Sequence, residues 1–349
     1  MGLGSDILEF FHRDRIGNTT TPITLGQLID SKITNGIIAI DILHAINKLA
    51  LESYIVPTGT SWNFNIRDNT YQTMIYDKAD AEYGVYDFII YGYTTIYEKF
   101  KVSVKPIINL AANGDTHIGT GFLVDFNGNK CLITARHCIE VSGSVLIYDT
   151  VGNSAIPTNI YLPEKSDFIG DPGFEFQNID ICVLTFDDTF YTDQYLFRFA
   201  EPVILSDVLV LGYPPTGLFD SGADVNNAVL ISERASIAHN YVKATTGQNV
   251  GTGMLPSTKL DYFLVSARVK GGNSGGPVID KHGKVVGMIT QIPMDGGSST
   301  SDRIDEMGFG FACPSTSIFK FLNSIFSQSN EISFISKVPK VTESGFCID

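Results

Sequence analysis

Positive charge is scarce in this chain. Lysine and arginine together number 24 against 38 aspartates and glutamates, a formal net charge of −14. Such a chain repels phosphate backbones, which argues against nucleic acid as a partner. No apolar run approaches the length needed to span a bilayer, so no membrane insertion is expected. The opening residues, MGLGSDILEFFHRDRIGN, lack the basic start, apolar core and small-residue cleavage site of a secretory signal. Gly2 fits an N-myristoylation motif, but Asp6 stands where that motif calls for Ser or Thr. Cysteine occurs five times, as Cys131, Cys138, Cys182, Cys313 and Cys347. An odd, sparse set without metal-ligand spacing predicts reduced thiols, a cytoplasmic location and no metal or other cofactor. A secreted form whose signal has been removed is the alternative.

What the chain does have is material for a core. Hydrophobic residues make up 44% of 349 positions and charged residues 18%, a globular composition sized for one large or two ordinary domains. Residues 1–20 are mixed in character and read as loosely ordered. Thr24-x-x-Gln27 is a capping-box pattern, with Ile23 and Leu28 placed as a hydrophobic staple, so a short helix should follow. Ile42, Leu43, Ile46, Leu49 and Ala50 share one face of a second helix that ends before Pro57. From Tyr83 the pattern turns to period two: Tyr86, Phe88 and Ile90, then Phe100, Val102 and Val104, read as strands. Short apolar runs at 119–124, 130–135, 180–186, 203–211, 262–267 and 284–291, separated by turn residues, favour an all-β barrel architecture. Ile318, Phe321, Leu322 and Ile325 lie on one face of a last helix. The chain therefore divides into a small α+β region at 1–100, a β-rich module at 101–326 and a polar tail at 327–349.

Three segments carry chemistry together. Gly119-Thr-Gly-Phe-Leu-Val124 leads to Leu132-Ile-Thr-Ala-Arg-His-Cys138; Asn178-Ile-Asp-Ile-Cys-Val-Leu184 follows; Gly271-Gly-Asn-Ser-Gly-Gly-Pro-Val278 completes the set. A serine hydroxyl is a weak nucleophile at neutral pH and needs a base to take its proton. Histidine suits that task because it titrates near neutrality, and a carboxylate on its far nitrogen holds one tautomer. His137, Asp180 and Ser274 are the candidates. Backbone N–H groups aimed at a developing oxyanion lower an acyl-transfer barrier by about 2.7–4 kcal/mol per donor. The glycines at 271 and 272 free the backbone for that geometry, and the segment Gly272, Asn273, Ser274 is the candidate oxyanion hole, with the N–H groups of Gly272 and Ser274 as donors. Taken singly, each motif has an ordinary reading: a core or surface histidine, a strand-entry aspartate, a flexible glycine turn. Their conjunction points to nucleophilic catalysis.

TARHC, NIDICVL and GGNSGGPV, in that order, resemble the histidine, aspartate and serine motifs of the chymotrypsin/trypsin-like protease superfamily. The spacings of 43 residues between His137 and Asp180 and 94 between Asp180 and Ser274 are consistent with it. The resemblance covers about residues 101–326. It implies a mostly β fold: a double six-stranded β-barrel with the active site between the barrels, here with a small N-terminal α+β region and a C-terminal helix. It also implies serine endopeptidase activity on a protein or peptide substrate. GNSGGP, Leu211-Gly-Tyr-Pro214 and Gly308-Phe-Gly-Phe-Ala-Cys-Pro314 are most similar to bacterial HtrA and glutamyl-endopeptidase-like domains. That likeness places Thr290, Gln291 and Ile292 on a strand pairing with substrate backbone, and Gly308, Phe309 and Gly310 beside the pocket for the residue preceding the scissile bond. Asn273 stands where digestive relatives carry the aspartate of zymogen activation. Cys131 is too near Cys138 to serve as the usual disulfide partner. About 23 residues follow position 326, fewer than the PDZ domain of HtrA proteins requires.

Arg268 and Lys270, shortly before Ser274, suggest preference for an acidic or polar residue in that pocket; the alternative is that both point to solvent. The Gly-, Ser-, Thr- and Asp-rich stretch Pro293–Met307 reads as a mobile loop. It, or residues 1–100 acting with a protein regulator, is expected to restrain the enzyme. The competing function is a pseudoprotease or peptide-binding module in a signalling protein.

Overall fold

The periodicities meet their test in a computed structural model that describes residues 2–12, 23–33, 36–60, 65–140, 143–149, 151–164, 179–214, 229–245, 258–269, 271–290 and 308–348. Two units are distinguished: Met1–Glu98 with Lys281–Gly283, and Lys99–Asp280 with Lys284–Asp349.

The first unit is mainly helical. Helix α1 spans Leu3–Phe10 and buries Leu3, Ile7 and Leu8, with Phe11 fully buried just beyond it. The expectation of loose order at 1–20 is thus corrected for residues 3–10: that apolar spacing is helical, though too short to stand out from its mixed surroundings. Helix α2, Leu25–Ile33, begins at the predicted capping box, where Thr24 N–H donates to Gln27 Oε1 at 2.8 Å and Gln27 N–H to Thr24 Oγ1 at 3.3 Å. Helix α3, Ala39–Leu51, buries Ile42, Ala45, Ile46 and Leu49. A hairpin of β1, Ile55–Gly59, and β2, Thr70–Thr73, follows.

Helices α4, Lys78–Tyr83, α5, Val85–Tyr91, and α6, Tyr93–Phe100, come next. Here the period-two reading fails. Val85, Tyr86, Phe88 and Ile90 are all buried in α5, and a short helix enclosed on several sides has no single apolar stripe. Phe100 closes α6, residues 101–103 form a 3-10 turn, and the strand starts at Val104. Val102 is exposed and Lys105 buried, the reverse of the expected alternation.

In the second unit, strands β3 (Val104–Ala111), β4 (Thr116–Phe126), β5 (Asn129–Thr134), β6 (Gly143–Ile147), β7 (Asn159–Pro163) and β8 (Cys182–Thr185) form one antiparallel sheet. Strands β9 (Asp207–Gly212), β10 (Ile231–Thr245), β11 (Thr258–Val265), β12 (Pro277–Ile279), β13 (Val285–Thr290) and β14 (Gly310–Pro314) close a six-stranded barrel in the order β10-β11-β14-β13-β12-β9. Its core includes Val208, Val210, Ile237, Phe263, Val278, Val286 and Ile289. Of the apolar run 203–211, only the part from Asp207 is strand; Val203, Ile204 and Leu205 are exposed. Helix α7, Ser315–Phe326, buries Ile318, Phe321 and Leu322 as its spacing predicts.

The polar residues 327–349 contribute β15 (Phe334–Lys337), β16 (Lys340–Thr342) and β17 (Gly345–Cys347). They extend the first sheet at both edges, giving the order β15-β7-β8-β5-β4-β3-β6-β17-β16. Strands about 4.8 Å apart would put the outer two of a flat nine-stranded sheet roughly 38 Å apart. Yet only Val338 and Pro339 separate β15 from β16 in sequence, a span of about 10 Å at full extension. The sheet must therefore curl through most of a turn. The second unit is thus a mostly β, double-barrel fold of the chymotrypsin type: one barrel closed by hydrogen bonds, the other curled and bridged by the chain.

The linker between them contributes to both. Phe197 N–H donates to Leu123 O at 2.9 Å, and Ala200 N–H to Val285 O at 3.0 Å. The fully buried Phe197 ring stacks on Phe100 with centroids 4.3 Å apart and meets Phe122 edge-on at 6.1 Å. Phe197→Ala should destabilise the protein by about 3–5 kcal/mol, read as a lower urea midpoint with unchanged slope.

Candidate active site

Strand register explains why His137 meets Asp180. β5 and β8 pair Thr134 with Cys182, and continuing that antiparallel register sets Asp180 beside the 3-10 turn Arg136–Cys138 that ends β5. Arg136 braces this turn: its guanidinium donates to both Glu140 carboxylate oxygens at 2.6 Å and to Pro163 O at 2.9 Å. The planar fork suits such a three-way tie.

Asp180 accepts three hydrogen bonds. His137 N–H donates to Oδ1 at 3.0 Å, His137 Nδ1 lies 2.6 Å from Oδ2, and the Thr290 hydroxyl donates to Oδ2 at 2.7 Å. An ionised carboxylate only accepts, so Nδ1 carries the proton and Nε2 keeps its lone pair when the ring is neutral. Burial alone would raise the Asp180 carboxyl; the His137 ring, the Thr290 hydroxyl and the His137 N–H outweigh it and hold the carboxyl below its ordinary value. Burial alone would lower the His137 imidazole; its hydrogen bond to Asp180, the Cys138 thiol and the carboxylate charge outweigh it and raise the imidazole.

The serine turn is built by glycine conformation and one threonine. Gly272 and Gly275 adopt φ of +91° and +84°. A side chain at either would also strike backbone: Tyr213 O beside Gly272, Thr120 O beside Gly275. Gly271, in contrast, has an ordinary φ and open space around it. Thr120, fully buried on β4, clamps the turn. Its N–H donates to Ser274 O at 2.8 Å and its hydroxyl to Gly272 O at 2.6 Å, while it accepts from Tyr213 N–H at 3.0 Å. Gly275 N–H donates to Ile289 O at 2.7 Å, tying the turn to the strand that ends in Thr290.

Ser274 and His137 approach through the residue after the histidine: the Cys138 thiol donates to Ser274 O at 3.5 Å. Across from Cys138 stands Gly119, where a Cβ would fall 2.5 Å from the sulfur, and Cys138 is a free thiol. Among the described residues none accepts a hydrogen bond from the N–H of Gly272 or Ser274, and Asn273 and Ser274 are nearly buried. Neither N–H is engaged within that part of the chain, as a donor pair for an incoming oxygen requires.

The remaining candidate residues fall out unevenly. Thr290 is the last residue of β13, and its hydroxyl donates to Asp180. Arg268 is exposed, with its N–H bonded to Glu233 Oε1 at 3.2 Å. Gly308 and Phe309 are half-buried; Gly310 is buried against Val269, with no room for a side chain. Lys270, Gln291, Ile292 and the stretch Pro293–Met307 lie outside the described residues. Thr120, Arg136 and Tyr213 do not stand out from the sequence as functional, although each lies in a quoted motif. Among the described residues no cluster of His, Cys, Asp and Glu has the geometry to hold a metal ion.

Residues 119–288 match the family model described as a trypsin-like peptidase domain. A Serine protease Do-like HtrA of Lactococcus lactis is 24% identical over 66% of this chain and 56% of its own length. The chain thus spans about half the length of that curated relative. Among solved structures, the active form of the Rv3671c protease from M. tuberculosis aligns over 73% of this chain and 89% of its own, with 20% identity and a TM-score of 0.45. The serine endoprotease from Yersinia pestis aligns over 68% and 67%, with 18% identity and a TM-score of 0.42.

Asp180→Asn removes the charge that holds the imidazole up. The His137 pKa, followed by NMR titration of the ring nitrogens, should fall by about 1–3 pH units.

Proposed function

With residues 119–288 belonging to the trypsin-like peptidases, we propose that the chain is a serine endopeptidase that cleaves peptide bonds through Ser274, His137 and Asp180. The carrying observation is the imidazole held by Asp180 on its Nδ1 side, with the serine turn fixed next to Cys138. Ser274 Oγ attacks the scissile carbonyl carbon while Nε2 of His137 takes the hydroxyl proton. The carbonyl oxygen becomes an oxyanion facing the N–H groups of Gly272 and Ser274. The imidazolium, stabilised by Asp180, then protonates the leaving nitrogen. The C–N bond breaks, the amine departs, and an ester to Ser274 remains. Water attacks that ester with His137 again as base; the acyl product leaves as a carboxylic acid and Ser274 regains its proton.

Substrates in this reading are proteins or peptides. The side chain before the scissile bond packs where Val269 faces Gly310, with Arg268 at the outer edge favouring an acidic or polar group. The free buried thiols Cys131, Cys138, Cys182 and Cys313 suit a reducing, cytoplasmic setting, and the N-terminal unit serves as the contact for a protein regulator.

A fluorophosphonate probe should label the wild type and leave Ser274→Ala unlabelled, with peptide hydrolysis reduced by about four to six orders of magnitude. Label elsewhere, or equal hydrolysis by both proteins, would defeat the reading. Thr120→Val keeps the backbone bond to Ser274 but drops the hydroxyl that joins Gly272 to Tyr213; labelling should slow by about tenfold or more. The base must be neutral to accept a proton and Asp180 raises its pKa, so kcat/KM should rise with pH along a limb centred above the unperturbed histidine value of about 6.5. Asp180→Asn should move that limb to lower pH.

A further inference from the structure

The two strands at the ends of the nine-stranded sheet are consecutive in sequence, and the sheet they join carries both His137 and Asp180. We propose that residues 334–347 form a clasp that holds both edges of this sheet and thereby fixes the His137–Asp180 pair. Opening the clasp at the link between β15 and β16 frees that pair and leaves the closed barrel intact.

One half of the clasp grips β7. β15 runs antiparallel to it over four residue pairs, from Phe334 opposite Pro163 to Lys337 opposite Ile160. Phe334 packs against Tyr161 with centroids 5.7 Å apart. Glu164 N–H donates to Ser333 O at 2.9 Å, and Ile332 N–H to the Ser324 hydroxyl of α7 at 2.9 Å. β7 in turn pairs with β8, the strand that Asp180 precedes. Pro163, the last residue of β7, also accepts from Arg136 beside His137. This half therefore reaches both the carboxylate and the histidine turn through one intervening strand, β7.

The other half grips β6. Phe346 of β17 is fully buried opposite Val145. Three hydroxyls join β6 to the β16–β17 hairpin: Ser144 Oγ lies 2.9 Å from Thr342 Oγ1 and accepts from Ser344 Oγ at 3.0 Å. β6 pairs with β3, and β3 with β4, the strand of Thr120.

Between the two grips Val338 is 78% exposed; Ile332 just before β15 and Phe346 of β17 are buried, while β15 itself is half-exposed. A sheet that is not closed by hydrogen bonds keeps two edges that can splay, and the clasp ties them. The closed barrel that carries Ser274 has no such seam. The clasp therefore acts on one half of the site only. How the pair is held is a separate matter from whether Ser274 is acylated.

The test is a full-length chain with a site-specific protease sequence inserted after Val338, compared before and after cutting. Amide exchange in β6, β7, β8 and the Arg136–Cys138 turn should rise by about tenfold or more on cutting, while β9–β13 hold their rates. The downfield Nδ1 proton signal of His137, the signature of its bond to Asp180, should broaden or vanish. Phe346→Ala, which empties the second anchor, should give the same pattern without a cut. Unchanged exchange in β6–β8 after cutting would overturn the proposal, as would an equal rise in β9–β13.

Discussion

A carboxylate taken out of water must be given donors, and the way Asp180 is given them organises the whole second unit. Its donors come from two places: the backbone and ring of His137 at the end of β5, and the hydroxyl of Thr290 at the end of β13. One side chain thus bonds the curled sheet to the closed barrel and orients the imidazole in the same act. Left with fewer partners, a group buried this deeply would cost several kcal/mol or take up a proton. The site's electrostatics and the joining of the two β-structures are for that reason one constraint.

The serine turn answers a second, steric constraint. Its backbone doubles back through two left-handed glycines and is then pressed against Thr120 and Tyr213 by hydrogen bonds. Thr120 spends its N–H, hydroxyl and carbonyl within this region, the last accepting from Thr134 at 2.6 Å. A fully buried residue so completely bonded resists small displacements. The turn is therefore rigid at its base, and Ile289 ties it to the strand whose last residue serves Asp180.

Much of this was legible in the residues, and what was not has physical reasons. Motifs around His137, Asp180 and Ser274 are local, so they survive in a one-dimensional reading; strand register then does the joining. The capping box at Thr24 and the apolar face of α7 are local too. The errors lie where local pattern is ambiguous. Tyr86, Phe88 and Ile90 alternate like a strand, yet they sit in a seven-residue helix buried on several sides, where neither period dominates. Lys105 looked like the wet face of a strand and is buried, its ammonium lowered to about 8 by that burial and lying 5.7 Å from the Phe190 ring. Thr290 could be placed on the right strand from its motif, but which way its hydroxyl turned depended on a carboxylate 110 positions earlier. The strands of residues 334–347 are only three or four residues long and depend on their partners, too short for a period-two pattern to announce them.

The order in which that sheet is completed also has a temporal side. β15 through β17 lie about 190 residues downstream of β6, which pairs with β17, and somewhat fewer downstream of β7, which pairs with β15. At roughly 5–20 residues per second of synthesis, some 10 to 40 seconds separate the emergence of one from the other. During that interval the histidine, the aspartate and the serine turn can all be out of the ribosome while the sheet beneath two of them is still unsealed. Until residues 334–347 have emerged, β6 and β7 lack the strands that pair with their outer edges.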